Sequence, residues 1–307
     1  MTATTASDAT TKADAKEQTW REFRITVRDG MRLYGRHYPA PGSKRRPVLC
    51  LAGLTRNSRD FHVLATELSG SGPDARPVYT MDCRGRGQSN YAVDWKDYAV
   101  PIEMLDVQDF MASQHLHNAG IVGTSRGGLI TMILAAAQPG LVGPVVLNDI
   151  GPVIDHEGLV RISSYVGRTP LPASWEDARK LVASVNRAHF PNVADEEWEA
   201  IARQWFNEAD GRPAPGYDNN IAKSFSIKDG AIPELWPQFE ALKRNPLLVL
   251  RGANSDLLST ATVTEMLRRH PDARSFEVEA QGHAPLLRDA PTIAAISRFF
   301  AGADPDG

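Results

Sequence analysis

Short apolar runs alternate with helix-like segments along most of this chain. Continuous apolar runs of this kind are typical of strands buried on both faces of a sheet. A hairpin precedes them, because two alternating segments flank Asp29-Gly30, a dipeptide that favours a tight turn. The predicted strands cover residues 24–27, 31–34, 47–51, 78–81, 121–122, 145–147, 247–250 and 276–278.

Between these runs, apolar residues recur at helical spacing. The predicted helices carry these residues within 61–68, 104–111, 130–137, 263–267 and 293–299. Strands that alternate with helices imply right-handed crossovers and helices on both faces of a parallel sheet. We therefore predict an α/β fold with a mostly parallel eight-stranded sheet.

The alternation stops after the sixth strand and resumes near residue 238. The interruption contains helical segments near 176–185 and 195–208, a Gly- and Pro-rich loop at 211–216, and several aromatic residues. An insertion of this size predicts a helical cap over the carboxyl edge of the sheet. We expect the cap at 151–237, the core at 20–150 and 238–307, and a disordered tail at 1–19. The cap tryptophans either line a substrate pocket or form the cap's own core, and core is favoured for most. They are Trp175, Trp198, Trp205 and Trp236.

Composition narrows the classes of function. The formal net charge of −3 argues against a nucleic-acid-binding protein. Cys50 and Cys83 are the two cysteines, too few for a disulfide scaffold, and we expect both as buried thiols in strands. No apolar stretch has the length of a membrane span, and the first residues lack the apolar centre of a secretory signal. We expect a cytoplasmic protein that binds a small molecule, without metal, cofactor, nucleic acid or membrane; the oligomeric state stays open.

Gly123-Thr124-Ser125-Arg126-Gly127 has the form G-x-S-x-G. A strand-like segment precedes it and a helix-like segment follows. A strand that turns sharply into a helix strains the central residue and exposes its side chain at a helix N-terminus, where negative charge is stabilised. The pattern therefore predicts Ser125 as a nucleophile, with a structural turn as the alternative.

A serine nucleophile needs a general base. Among the eight histidines, His283 follows the last predicted strand in a loop, from which its side chain can project over the carboxyl edge of the sheet. The others lie at helix ends or lack such a setting. We therefore predict His283 as the base.

The third member should be a carboxylate that orients the histidine. Asp256 follows the strand at 247–250, and Asp149 ends the strand before it. We favour Asp256, because it gives the order Ser, Asp, His with both partners after the last two strands. Asp149 remains the competitor.

From Trp20 to Phe300 the chain resembles the α/β-hydrolase superfamily. The likeness rests on the segments 51–54, 82–89 and 123–128, the loop that carries Asp256, and Gly282-His283. The branch it resembles has a cap and includes carboxylesterases, enol-lactonases, haloalkane dehalogenases and carbon–carbon bond hydrolases.

The resemblance implies an oxyanion hole made by the backbone N–H groups of Leu54 and Arg126. Families of this kind usually have His-Gly where this chain has Ala52-Gly53, so a group that steadies the oxyanion loop is missing. A long cation next to the nucleophile is also unusual. Arg126 either pairs with an acidic side chain under the cap, which is favoured, or binds a substrate carboxylate.

Serine at position 125 favours acyl transfer over dehalogenation or epoxide opening, because a serine would form an ether that water does not readily cleave. We therefore predict a serine hydrolase for esters or lactones. Two alternatives remain: a carbon–carbon bond hydrolase of a diketone-type ring-cleavage product with the same triad, and a non-catalytic receptor on this fold.

Overall fold

The computed structural model describes residues 19–224 and 233–304, so the tail predicted at 1–19 lies outside the described residues except for Thr19. The strands are β1 (Arg21–Thr26), β2 (Arg32–Tyr38), β3 (Val48–Leu51), β4 (Val78–Met81), β5 (Ala119–Thr124), β6 (Val142–Asn148), β7 (Asn207–Ala209), β8 (Arg212–Ala214), β9 (Leu247–Gly252) and β10 (Ala273–Val278). The α-helices are α1 (His62–Ser69), α2 (Val100–Ser113), α3 (Arg126–Ala137), α4 (His156–Tyr165), α5 (Trp175–Asn186), α6 (Glu197–Trp205), α7 (Trp236–Glu240), α8 (Thr260–Arg269) and α9 (Ala290–Ala303).

Eight strands form one sheet in the order β1-β2-β4-β3-β5-β6-β9-β10. β2 pairs antiparallel with both β1 and β4, and the pairings from β4 through to β10 are parallel. The β1–β2 hairpin turns at Asp29-Gly30, where Gly30 has a φ of 87° that favours glycine. The predicted mostly parallel eight-stranded sheet is confirmed.

Helices cover both faces of this sheet, as predicted. In β3, Leu49 and Leu51 join a core with α2, α3 and α8, while Val48 and Cys50 join a second core with α1 and α9. Successive strand side chains point to opposite faces, so a strand with both faces covered reads as a continuous apolar run. This explains why the sequence pattern located the central strands.

Residues between β6 and β9 form α4 to α7 and the two-stranded hairpin β7–β8. α5 and α6 share a small apolar core of their own, in which Trp198 is 1% exposed. The loop predicted at 211–216 is wrong at Arg212–Ala214, which pairs with Asn207–Ala209. Asp210 and Gly211 have φ values of 51° and 72°, which suit a tight hairpin turn. A separate cap with bounds 151–237 remains a prediction.

Both cysteines are buried and free. Cys50 lies in β3 as predicted, whereas Cys83 follows β4 in a turn, so that part of the prediction is wrong. Burial raises the pKa of the Cys50 thiol and raises that of Cys83 to about 12. Neither thiol is therefore a ready nucleophile.

None of the helices within 19–224 and 233–304 combines the length and apolar character needed to cross a bilayer.

Candidate active site

Ser125 is the single residue between β5 and α3. Its φ of 50° and ψ of −115° lie in a region that non-glycine residues rarely adopt. Its N–H donates to the Asn148 carbonyl over 3.0 Å, which ties the turn to β6. The strand–turn–helix setting predicted for Ser125 is present, and the strain is located at the residue that would react.

The glycines around Ser125 are required by close backbone contacts. A Cβ atom on Gly127 would lie 2.2 Å from the Leu51 carbonyl oxygen, and one on Gly128 would lie 2.3 Å from Ile150 Cγ2. These separations are far below van der Waals contact. The G-x-S-x-G-G pattern is therefore the sequence signature of a helix start pressed against two neighbouring strands.

Ser125 and His283 lie within hydrogen-bond distance. Ser125 Oγ is 2.9 Å from His283 Nε2, and His283 Nδ1 is 2.8 Å from Asp149 Oδ2. A carboxylate oxygen can only accept, so Nδ1–H donates to Asp149 and Nε2 is left to accept from the serine hydroxyl. Asp149 is fully buried and the His283 side chain is 7% exposed. Serine, histidine and aspartate thus form one connected chain.

Asp256, the acid predicted from chain order, is not part of this chain. Its carboxylate pairs with Arg161 on α4, with Oδ1 2.9 Å from Nη2. Burial raises the pKa of Asp256, but the hydrogen bonds and charge of Arg161 outweigh that effect and leave the pKa below its usual value. The prediction that Asp256 orients His283 is wrong in this geometry, and Asp149 takes that position.

The end of β9 and the loop after it still contribute to the site, through hydrogen-bond donors instead of the Asp256 carboxylate. Gly252 N–H donates to Asp149 Oδ1 over 2.8 Å, and Ser255 Oγ–H donates to Oδ2 over 2.6 Å. The Asp149 N–H also donates to the Leu250 carbonyl over 2.9 Å. β6 and β9 are adjacent parallel strands, so carboxylates at either carboxyl end reach the same region. Chain order alone could not separate them.

Asn148 was missed by the sequence analysis. Its side-chain amide donates to the Pro285 carbonyl over 3.0 Å and to Thr124 Oγ1 over 3.1 Å. It therefore links the strand before Ser125 to the loop that carries His283. The signal was a fully polar pair, Asn148-Asp149, at the end of an otherwise apolar strand.

The two N–H groups of the predicted oxyanion hole have no protein partner among the described residues. Leu54 N–H and Arg126 N–H donate no hydrogen bond to any residue within 19–224 and 233–304. A Cβ atom on Gly53 would lie 3.6 Å from Ser125 Cβ, so the loop that carries Leu54 runs beside the serine. The role of both amides remains a prediction, which this arrangement accommodates.

A family model described as the alpha/beta hydrolase family matches residues 48–295, most of the chain. The chain belongs to this family. It is 35% identical over 273 residues to the 3-hydroxybutyrate-oligomer hydrolase of Cupriavidus necator, which covers 84% of this chain and 89% of that protein. It is 27% identical over 260 residues to the 2-(acetamidomethylene)succinate hydrolase of Mesorhizobium japonicum, and this alignment covers 82% of this chain and 87% of that protein.

A solved structure is similar over nearly the whole fold. An alpha/beta hydrolase from Novosphingobium aromaticivorans superposes with a TM-score of 0.85 at 37% identity, covering 92% of this chain and 98% of that one. The family match, together with the 35% identity to a hydrolase over most of both chains, identifies this chain as a hydrolase, as the sequence predicted. A non-catalytic receptor would be supported by a serine, histidine and carboxylate that lie out of hydrogen-bond reach of one another. Asp256 is out of reach of His283, but Asp149 is within reach and joins His283 and Ser125.

A cavity lies over the serine of this hydrolase. Ser125, His283 and Leu54 line its floor, and most of its remaining lining is apolar. The side chains from α4 to α6 and the turns between them that line it are Ile162, Tyr165, Val166, Asn186, Phe190, Trp198, Ile201, Gln204 and Trp205. The segment inserted after β6 therefore contributes directly to the candidate active site.

The four tryptophans of that segment divide into two pairs. Trp198 and Trp205 line the cavity. Trp175 instead donates to the Gly211 carbonyl over 3.1 Å, and Trp236 packs edge-on against Phe239. Both interpretations from the sequence, pocket lining and packing within the segment, therefore apply to some of the tryptophans.

The side chain of Arg126 points away from solvent and is engaged within the core. Its Nε donates to Glu103 Oε2 over 2.5 Å, and Nη2 donates to the Tyr98 carbonyl. The expected acidic partner exists, but it belongs to α2 in the core and not to the region under the cap. The Arg126 guanidinium, which the sequence analysis considered as a binder of a substrate carboxylate, is thus paired with Glu103.

Proposed function

We propose that this hydrolase cleaves carboxylic esters through an acyl-enzyme on Ser125, with His283 as general base and Asp149 as the residue that orients it. The observation that carries the proposal is the connected chain of hydrogen bonds, 2.9 Å from Ser125 Oγ to His283 Nε2 and 2.8 Å from Nδ1 to Asp149. Asp149 accepts two further hydrogen bonds, so the carboxylate and the imidazole tautomer are held in place.

In the proposed reaction, Ser125 Oγ attacks the ester carbonyl while its proton passes to His283 Nε2. The carbonyl oxygen becomes an oxyanion that accepts from Leu54 N–H and Arg126 N–H. The C–O bond to the alcohol then breaks, and His283 gives its proton to the leaving oxygen. Water repeats the sequence on the acyl-enzyme, releases the acid and restores Ser125.

The proposed substrates are short aliphatic esters, including esters between hydroxy acids. Two observations support this class. The cavity that contains Ser125 and His283 has a mainly apolar lining, which includes Phe190, Ile201 and Trp205. The relative from Cupriavidus necator is a hydrolase of 3-hydroxybutyrate oligomers. The sequence-based expectations of a cytoplasmic location and of a lactone as an alternative substrate stay as predictions.

A second cavity adjoins the first and shares Thr55, Tyr165 and Trp205 with it. Leu171 and Tyr217 contribute to its further wall. We infer that the inserted segment acts as a cap that holds the two sides of the ester in these two compartments, with Trp205 between them. An ester that extends in both directions from the scissile bond suits such a shape.

A substrate panel tests the proposed function. The purified protein would be assayed on p-nitrophenyl esters of increasing chain length, on dimers and trimers of 3-hydroxybutyrate, on lactones, and on a diketone ring-cleavage product. We expect hydrolysis of the short esters and the oligomers. Turnover of the diketone alone would replace the ester proposal with the carbon–carbon alternative.

Trp205→Ala is expected to change the ranking of substrates by size more than the rate on the smallest ester. Its ring lines both compartments and lies 4.5 Å from the Arg56 guanidinium carbon. Removing it takes away apolar contact area worth roughly 25 cal/mol per Å² of buried substrate surface. The measurement is kcat/KM across acyl chains from two to ten carbons.

Trp175→Ala is the matched control, because Trp175 belongs to the same segment and lines neither cavity. It should leave the chain-length profile unchanged. Trp198 is a poorer probe, since it is 1% exposed and its removal would also disturb the core of α5 and α6. Identical profiles for Trp205→Ala and the wild type, in a folded protein, would count against the two-compartment cap.

A further inference from the structure

Three charged side chains are buried together next to the loops that carry the candidate oxyanion hole. Glu103 on α2 is 0% exposed, Arg86 is 1% exposed and Arg126 is 8% exposed. Removing charges from water is costly unless geometry and hydrogen bonds compensate, so a buried ionic cluster is weak support for stability by itself. The contacts of this cluster point to another role.

Glu103 uses one carboxylate oxygen for each arginine. Oε2 accepts from Arg126 Nε over 2.5 Å, and Oε1 accepts from Arg86 Nη1. Arg86 in turn donates from Nε to the Leu54 carbonyl over 2.8 Å. An unbroken path therefore runs from Leu54 through Arg86 and Glu103 to Arg126, the residue directly after Ser125.

Leu54 and Arg126 are the two residues whose N–H groups would hold the oxyanion. We propose that Glu103 is the positioning residue that sets the separation of these two donors. This inference rests on the proposed function. The chain has Ala52 where similar hydrolases usually have a histidine next to the oxyanion loop, and the arginine–glutamate cluster instead holds that loop through the Leu54 carbonyl.

A single carboxylate suits this role because it anchors both arms at once. Each arginine has a further partner, since Arg126 Nη2 donates to the Tyr98 carbonyl and Arg86 Nη1 donates to the Arg84 carbonyl. Glu103 is the carboxylate that accepts from both arginines; Tyr98 also touches both, with its ring 5.5 Å from the Arg86 guanidinium carbon and its carbonyl accepting from Arg126. Loss of its charge would leave two cations facing each other in a buried site, and their repulsion would move Leu54 and Arg126 apart.

Glu103→Gln tests the proposal, because the amide keeps the size of the side chain but cannot accept from both arginines. Displacing oxyanion donors weakens a contact that matters most in the transition state, so kcat should fall roughly 10- to 100-fold with KM changed by less than about threefold. Inhibition by a trifluoromethyl ketone, whose adduct with Ser125 carries an oxyanion, should weaken by a similar factor. Binding of the corresponding non-reactive alcohol should not change.

Asp106→Asn is the matched control. Asp106 lies one turn further along α2, is 2% exposed and pairs with the Arg84 side chain; no hydrogen bond or ion pair joins it to Leu54 or Arg126 within the described residues. It should cost a comparable amount of thermal stability and change kcat by less than about threefold. An equal loss of kcat in both variants would overturn the positioning role. So would a Glu103→Gln variant with a lower melting temperature and an unchanged kcat.

Arg126→Met keeps the test decisive if Glu103→Gln fails to fold. It removes one arm, retains the backbone N–H, and leaves Glu103 paired with Arg86. We expect a fall in kcat of roughly tenfold, again with weaker trifluoromethyl ketone inhibition. If kcat and trifluoromethyl ketone inhibition of Arg126→Met both kept their wild-type values, the proposal would be rejected. Substantial activity of Ser125→Ala would instead reject the proposed function, so the two failures are distinguishable.

Discussion

Ester hydrolysis should fall by about 10⁴-fold or more when Ser125 is replaced by alanine, by analogy with the loss of nucleophiles from other triads. The reason is that no other hydroxyl or thiol lies within hydrogen-bond distance of His283 among the described residues. The measurement is kcat on a short p-nitrophenyl ester with purified protein.

The fold should survive this change, because His283 is the one hydrogen-bond partner of Ser125 Oγ in the described part of the chain, and the strained backbone is held by its neighbours. Circular dichroism and thermal unfolding provide the control. Activity above a few percent of wild type, in a preparation purified separately from any active enzyme, would show that Ser125 is not the nucleophile.

Asp149→Asn should lower turnover by roughly 10⁴-fold, because an amide in place of the carboxylate favours the wrong imidazole tautomer. Asp149 Oδ2 accepts from His283 Nδ1 over 2.8 Å, and the asparagine amide would present a donor to that nitrogen or fail to hold it. The measurement is kcat at a pH where the wild type is fully active.

Asp256→Asn is the control for this prediction. Asp256 also follows a strand of the sheet and is partly buried, but it pairs with Arg161 instead of His283. We expect less than a tenfold fall in kcat, together with a change in thermal stability from the lost link between α4 and the loop after β9. The reverse order of the two effects would restore Asp256 as the catalytic acid.

The nucleophile and the base could be located from sequence because local chemistry marks them. Ser125 lies among glycines that the close contacts of a strand–helix turn require, and His283 follows the last strand in a loop. Apolar runs likewise located the five central strands β3, β4, β5, β6 and β9. The turn signal at Asp29-Gly30 located β1 and β2, and a more polar segment located β10. Each of these features depends on residues that are near one another in the chain.

The acid could not be located in the same way because two strand ends meet in space. Asp149 and Asp256 come from β6 and the loop after β9, which are neighbours in the sheet but about a hundred residues apart in the sequence. Which carboxylate reaches His283 depends on backbone geometry, and Asp149 has a φ of 55° that no apolar pattern indicates. The hydrogen bonds of each carboxylate therefore decide which one orients His283, and Asp256 is already paired with Arg161.

The partner of Arg126 shows the same limit. Glu103 lies in the first turn of α2, where an acidic residue normally faces solvent and interacts with the helix dipole. Its complete burial becomes visible only when Arg86 and Arg126 are brought to it from two other segments. Sequence reasoning identified Arg126 as unusual, and the structure supplies the reason.

Active-site labelling tests the central claim most directly. A fluorophosphonate forms a bond from phosphorus to the reactive serine oxygen with loss of fluoride, and peptide mass spectrometry identifies the modified residue. The account predicts one adduct per chain, on Ser125, at a rate that Asp149→Asn lowers by orders of magnitude and Asp256→Asn leaves nearly unchanged. An adduct on another residue, or a labelling rate that depends on Asp256 and not on Asp149, would contradict it.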